Sequence, residues 1–223
     1  LKYGGVTAEA MVESALEHVR ILEDMDFHLI KISMKASDVQ RTLEAYRLLA
    51  KKVDYPFHVG ITEAGTLVSG CVKSSLGLAL LLREGLADTI RVSLTAPAEE
   101  EVRVAFQILS GLGLRTKGIN FVSCPTCGRS EVDLVKIATE VERRLFSINE
   151  PLTVAVMGCM VNGPGEAKEA DIGLACGKGI GVLFKRGKLY RRLKEKQIIP
   201  EFIKEVKSLA QERQRRASKQ KME

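Results

Sequence analysis

Phe27-His-Leu-Ile-Lys-Ile-Ser-Met34, followed at once by Lys35-Ala-Ser-Asp-Val-Gln40, decides how the first half of this chain is read. Its residues alternate with a period of two, so a strand is predicted over 27–34. His28, Ile30, Ile32 and Met34 share one face of that strand, and Leu29, Lys31, Ser33 and Lys35 share the other. Ser37-Asp-Val-Gln40 has the form of a capping box. From there Val39, Leu43, Tyr46, Ala50 and Val53 draw one apolar stripe along a helix over 37–53. Working outward, Met11, Ala15, Val19 and Leu22 mark a preceding helix over 8–24, further strands fall at 56–61 and 89–94, and helices at 67–86 and 98–109. A strand–helix unit repeating every thirty or so residues is the rhythm of βα crossovers, which build a parallel sheet and an α/β fold.

A strand inside such a series is normally covered on both faces, so the lysines of the first strand point to a polar barrel interior or a site. Polar residues also recur where the strands end. Lys35 follows the first strand, Glu63 follows the second, and Arg91 and Ser93 lie along the third. Each alone is as well explained by a surface ion pair or a helix cap. Together they gather at the carboxyl end of the strands, where barrel active sites lie.

Gly111-Leu-Gly113 interrupts the fourth helix and sets a domain boundary, giving residues 1–110 and 111–223. The second part reads as α+β: strand 118–123, helix 131–145, strands 152–157 and 170–175, a hairpin of 181–185 and 188–192 turning at Arg186-Gly187, and a closing helix from about 200. Two compact signatures sit in it, Cys124-Pro-Thr-Cys127-Gly-Arg129 and Gly158-Cys159-Met-Val-Asn162-Gly-Pro-Gly-Glu166. Three cysteines on two tight turns have the makings of a redox-active iron–sulfur site. They are one ligand short of a closed cage, which makes the carboxylate of Glu166 a candidate for a replaceable fourth position. Asn162-Gly-Pro-Gly165 reads as a chain reversal, with glycines free to take positive φ, that folds Glu166 back towards Cys159.

The bulk numbers agree with a compact protein. The chain has 223 residues, 45% of them hydrophobic, and its longest apolar stretch, 76–82, is far too short for a bilayer. No secretion or membrane insertion is expected. Five cysteines, an odd number with a CxxC pair, fit a reducing cytoplasm and metal or redox chemistry better than disulfides, leaving Cys71 and Cys176 as free thiols. The formal charge of +6 owes much to Arg213, Arg215, Arg216, Lys219 and Lys221. Without interleaved aromatics, this run reads as a solvated helix end rather than a nucleic-acid surface.

The two cysteine signatures in their flanks, 121–129 and 156–167, resemble the bacterial 4-hydroxy-3-methylbut-2-enyl diphosphate synthases of the methylerythritol phosphate route to isoprenoids, almost residue for residue. The strings at 31–38, 58–65 and 88–94 look like the same family, so the resemblance covers nearly the whole chain and corresponds to the C-terminal portion of such an enzyme. It implies the last three βα units of a TIM-type barrel, followed by a smaller α+β iron–sulfur domain that is sulfite-reductase-like. It implies a 4Fe-4S cluster on Cys124, Cys127, Cys159 and Glu166, with Lys35, Arg91, Ser93 and Asn162 holding substrate oxygens and Glu63 as proton donor or polar anchor. The implied reaction opens the ring of 2-C-methyl-D-erythritol 2,4-cyclodiphosphate, removes an oxygen as water and adds two electrons from ferredoxin or flavodoxin. A homodimer is also implied, in the cytoplasm, with no nucleic acid or membrane as partner. Cys176 stands as a competitor to Glu166 for the fourth ligand position.

Two other classes remain open at this point. One is a zinc-stapled binding module using Cys124, Cys127, Cys159 and Cys176. The other is an iron–sulfur electron carrier without substrate chemistry.

Overall fold

The computed structural model describes residues 2–161 and 163–220. They divide into two compact units, Leu1–Arg115 and Thr116–Glu223.

The first unit alternates helices with short parallel segments: α1 (Ala8–Asp24), α2 (Val39–Leu49), β1 (His58–Val59), α3 (Leu67–Arg83), β2 (Thr89–Ile90) and α4 (Ala98–Gly111). The Thr7 hydroxyl caps α1 by accepting the Ala10 N–H at 3.2 Å. Capping of α2 falls to Asp38 rather than Ser37: Asp38 Oδ1 accepts the Arg41 N–H at 2.7 Å, so the helix starts one residue later than the expected capping box. β1 and β2 pair in parallel, His58 with Thr89 and Val59 with Ile90.

The expected strand over 27–34 contracts to a single parallel bridge between Ile32 and Phe57. Among the described residues its backbone bonds to the next segment are Ile32 N–H to Pro56 O and His58 N–H to Ile32 O, enough for one bridge and not for a ladder along the whole span. Its alternation survives nonetheless. Ile30, Ile32 and Met34 are buried with Phe57, Val59, Ile61 and Val92, and against them pack Val12 and Val19 of α1, Leu43, Tyr46 and Leu49 of α2, and Leu78 and Leu81 of α3. Tyr46 ties the layers together. Its hydroxyl accepts the Met34 N–H at 2.9 Å and donates to His58 O at 2.8 Å, while its ring meets Phe57 edge-on at 5.3 Å.

The second unit holds a five-stranded sheet in sequence order: β3 (Ile119–Ser123), β4 (Leu152–Met157), β5 (Ile172–Gly177), β6 (Ile180–Lys185) and β7 (Lys188–Lys194). β3, β4 and β5 are parallel, and β5, β6 and β7 antiparallel. Val154, Val156, Ile172, Leu174 and Leu183 face α5 (Leu134–Leu145) and α7 (Ile198–Gln220), meeting Val141, Leu145, Phe202 and Val206. The alternate residues Ala155, Met157, Ala175, Val182 and Phe184 face Ala167 and Ala170. The β6–β7 turn is a two-residue hairpin with Arg186 and Gly187 both at positive φ, 48° and 73°.

The expected reversal at 162–165 takes another form. The segment Gly163–Glu166 is one turn of helix, α6, closed by Ala167 N–H to Gly163 O at 2.9 Å. Glycine is required there for closeness: a Cβ on Gly163 would lie 2.6 Å from the Ala175 Cβ, and one on Gly173 2.7 Å from the Ala167 Cβ. Small residues therefore let α6 and the chain after it lie against β5. Among the described residues no helix is long and apolar enough to cross a membrane.

Candidate functional site

In the first unit the outward-facing residues of the three parallel segments make one polar surface. Lys31, Ser33 and Lys35 stand beside His58, Gly60 and Thr62, which stand beside Thr89, Arg91 and Ser93. Ser33 Oγ donates to His58 O at 3.0 Å and accepts from the Lys35 ammonium. His58 Nδ1 and Thr89 Oγ1 are 2.8 Å apart. The Arg91 guanidinium donates to Ser93 Oγ at 3.0 Å and to Thr62 Oγ1 at 3.4 Å. At Gly60 a side chain would strike Arg91 O at 2.4 Å and the Lys35 Cε at 3.3 Å, so the absence of a Cβ lets the lysine stem cross β1 towards the next segment.

Positive charge is concentrated on this face. Burial, reinforced by Arg91 and Lys31, pushes the Lys35 ammonium down to about 8. His58 is lowered by burial and by the same cations, Lys35, Lys31 and Arg91. A surface that disfavours its own cations is one that gains from an incoming anion. Lys35, Arg91 and Ser93 are thus brought together. Glu63 is not: it sits in the exposed turn beyond β1 at φ 50°, without a hydrogen bond to those three among the described residues. Sequence reading had set Ser33 on the face with Lys31 and Lys35 but missed His58 and Thr62, although their i, i+2 spacing about Gly60 carried the signal.

In the second unit both cysteine signatures leave the carboxyl ends of adjacent parallel strands. Cys124 directly follows β3 and Cys159 lies two residues beyond β4, in a register that sets Ser123 opposite Val156. The Gly158 N–H donates to Cys124 Sγ at 3.3 Å, and the Glu131 N–H donates to Gly158 O at 3.2 Å, so the two loops are bonded in both directions. Cys127 is exposed, and the Arg129 N–H and guanidinium beside it hold its thiol below the ordinary range. Cys159 is buried and Cys124 half-buried against both sheet faces.

Cys176 is buried within β5, among the residues that face α5 and α7. Burial, with Cys124 nearby, pushes its thiol up to about 12. That environment favours a protonated core thiol over a thiolate ligand. Asn162 lies outside the described residues, and so does the side chain of Glu166, whose backbone ends α6.

Among the described residues no group of three or more His, Cys, Asp or Glu side chains is gathered tightly enough to hold a metal ion. The four thiols required by a zinc staple do not form such a group. A single zinc with bonds of about 2.3 Å needs its sulfurs roughly 4 Å apart, whereas a four-iron cluster takes each thiolate on a different iron and spreads them wider. The donor set of three thiols on two joined loops, one of them contacted by a backbone N–H and another by arginine, suits the second case in chemistry. Glu131 was also missed by sequence reading. Its carboxylate accepts the Lys178 N–H at 2.9 Å and so fixes the cysteine loop to the β5–β6 turn, a role that only the folded backbone reveals.

Residues 1–106 match the GcpE TIM-barrel domain model, and residues 120–208 match the model of the GcpE protein C-terminal domain. A protein from Geobacter sulfurreducens, named 4-hydroxy-3-methylbut-2-en-1-yl diphosphate synthase (flavodoxin), is 58% identical over 212 residues, covering 95% of this chain and 60% of the relative. Relatives of the same name from Caldanaerobacter subterraneus and Clostridium acetobutylicum are 58% and 54% identical, covering 95% and 93% of this chain and 59% and 60% of their own. The chain therefore spans about 60% of the length of the curated relatives it matches. With one GcpE model matched in each half and more than half of the aligned residues shared with these relatives, the chain belongs to the GcpE family.

Proposed function

We propose that this chain forms the substrate-gripping and cluster-binding portion of an enzyme that converts 2-C-methyl-D-erythritol 2,4-cyclodiphosphate to 4-hydroxy-3-methylbut-2-enyl diphosphate by reductive ring opening and loss of water. The observation that carries this is the cysteine pairing at adjacent strand ends, within a segment, 120–208, matched by the family's C-terminal model. Residues 1–110 would be the last three βα units of a TIM-type barrel, and residues 111–223 a sulfite-reductase-like cluster domain. The setting is cytoplasmic, the assembly a homodimer, and the electron donor flavodoxin, which the relatives' names specify, or ferredoxin.

Cys124, Cys127, Cys159 and Glu166 would hold a 4Fe-4S cluster, which when bound supplies electrons singly and a Lewis-acidic iron. The chain's own residues do the rest. Lys35 and Arg91 attract the diphosphate and fix it through charge-assisted hydrogen bonds, with Ser93 and Thr62 completing the anion's partners beside Arg91. Asn162 would bind a substrate oxygen, and Glu63 would serve as proton donor or polar anchor.

Anaerobic purification with iron, sulfide and visible spectroscopy tests the cluster, and dithionite-driven turnover of the cyclodiphosphate tests the reaction, run with and without a separately supplied front segment of a relative. A brown protein with about four irons per chain is expected. Glu166→Ala should depress turnover more than cluster content. A colourless protein carrying one zinc would overturn the reading.

A further inference from the structure

The carboxyl-end rim of the second unit's sheet, where the cysteine loops lie, also carries cations that the chemistry above does not use. β6 runs antiparallel to β5, and β7 antiparallel to β6, so the start of β6 and the end of β7 come to the same edge as the ends of β3, β4 and β5. Ile180 is paired with Lys194, and the Glu195 N–H donates to Gly179 O at 3.1 Å. Lys194 and Lys196 thereby lie against the Lys178-Gly179 turn. That turn is bonded in its own right to Glu131, whose N–H reaches Gly158 in the Cys159 loop. Arg129 completes the row from the Cys127 side, and all these cations are exposed.

The carboxylates described on the rim offset its charge only in part. Glu131 and Asp133 keep their charge but are held in place by the backbone N–H groups of Lys178 and Lys136, and with Glu195 they stand against the four cations Arg129, Lys178, Lys194 and Lys196, which leaves the rim net positive. The basic run at the end of α7 is elsewhere. Arg213 bonds to Pro151 O and Asp171, which precede β4 and β5, so that run sits at the opposite end of the sheet from the cysteines.

We propose that Lys178, Lys194 and Lys196, with Arg129, form the docking surface for an electron-carrier protein that presents an acidic face, delivering electrons at the cysteine edge. It rests on the reading of the cysteine loops as a cluster site and goes beyond it by assigning the partner's surface. A row of cations along the edge that carries the acceptor steers an acidic carrier and turns its cofactor towards the site, the arrangement in which charge complementarity acts chiefly on association rate.

The test uses the cluster-loaded chain and a reduced flavodoxin. Lys178→Glu, Lys194→Glu and Lys196→Glu, singly and combined, are compared with Arg215→Glu/Arg216→Glu at the far end. Flavodoxin binding is followed by calorimetry at two ionic strengths, and cluster reduction by stopped flow with flavodoxin and with dithionite. The combined rim variant should lose about 10- to 1,000-fold in flavodoxin-driven reduction rate and lose the salt dependence of binding, with dithionite reduction unchanged. The far-end pair should behave as the parent protein. Lys→Gln versions at the same sites should give a smaller loss in the same order. Unchanged flavodoxin kinetics in the rim variant, a loss confined to the far-end pair, or rim-dependent binding of nucleic acid in place of flavodoxin would overturn the assignment. A colourless preparation would sink the cluster reading alone, since the calorimetry still decides the surface.

Discussion

Gly158 hands its backbone N–H to the sulfur of Cys124 at 3.3 Å, across two parallel strands and 34 residues of sequence. That bond exists because residue 158 has no side chain. A Cβ there would lie 2.8 Å from Ser130 Oγ and 3.1 Å from the Leu134 Cδ2. Ser130 is itself committed to Val132 O, and Leu134 is core, so neither can yield freely. Gly158→Ala should cost about 1–3 kcal/mol by overpacking and pull the cysteine loops apart. The expected readouts are a melting temperature lower by several degrees and less iron per chain after anaerobic reconstitution. Parent-like values in both would mean that the loops meet for another reason.

Cys176 and Cys159 are both buried, yet their surroundings assign them different work. Cys176 is enclosed by the residues packed on α5 and α7, and Cys159 opens the loop that faces Cys124. Cys176→Ala should leave iron and sulfide content intact and cost only the stability expected of a trimmed core side chain. Alanine at Cys124, Cys127 or Cys159 should abolish the visible absorption of the reconstituted protein. An intact chromophore in the Cys159 variant paired with a lost one in the Cys176 variant would exchange their roles.

Lys35 gives the protein an alkaline signature. Its ammonium is lowered from 10.5 to about 8 by burial first and then by Arg91 and Lys31, so between pH 8 and 10.5 the unfolded chain binds more protons at this site than the folded one. The contribution of Lys35 to stability must then rise with pH across that window, having been unfavourable below it. Urea midpoints of the parent protein and Lys35→Met, measured from pH 7 to 10.5, should converge as the pH rises. Inorganic pyrophosphate should shift the lysine back up, seen as proton uptake on binding near pH 8 to 9. Parallel midpoint curves would show that the lysine is solvated.

What the sequence disclosed and what it hid follow from range of interaction. β4 coincided with its expected span because Leu152–Met157 is an apolar run broken only by Thr153 and otherwise buried on both faces, and the hairpin at Arg186-Gly187 was legible because a two-residue turn is local. The strand over 27–34 was overextended because hydrogen bonding depends on a neighbour that its own residues cannot report. Its polar face was nevertheless readable, since alternation outlives the ladder. The positive φ expected of the glycines at 163 and 165 is not taken up: Gly163 answers to its closeness to Ala175, which the local sequence cannot report. Glu131 was invisible for the same cause: its partner is the backbone of Lys178, 47 residues away.

The basic end of α7 finally separates structure from solvation. Arg213 donates to Pro151 O at 2.7 Å and pairs with Asp171, whose other oxygen accepts the Thr153 N–H at 2.9 Å. One guanidinium therefore pins the last turns of the helix to the entry points of β4 and β5, from a partly buried position where the pair is less screened than at the open surface. Arg215 is exposed on the same helix. Arg213→Ala should lower stability by about 1–3 kcal/mol, because it leaves the Pro151 carbonyl and one oxygen of Asp171 without their donor, whereas Arg215→Ala should stay within about 0.5 kcal/mol. Hydrogen exchange over 209–216 should quicken in the first variant and not in the second. Equal effects would make the whole run a solvated tail and remove the clamp at the end of the sheet remote from the cysteines.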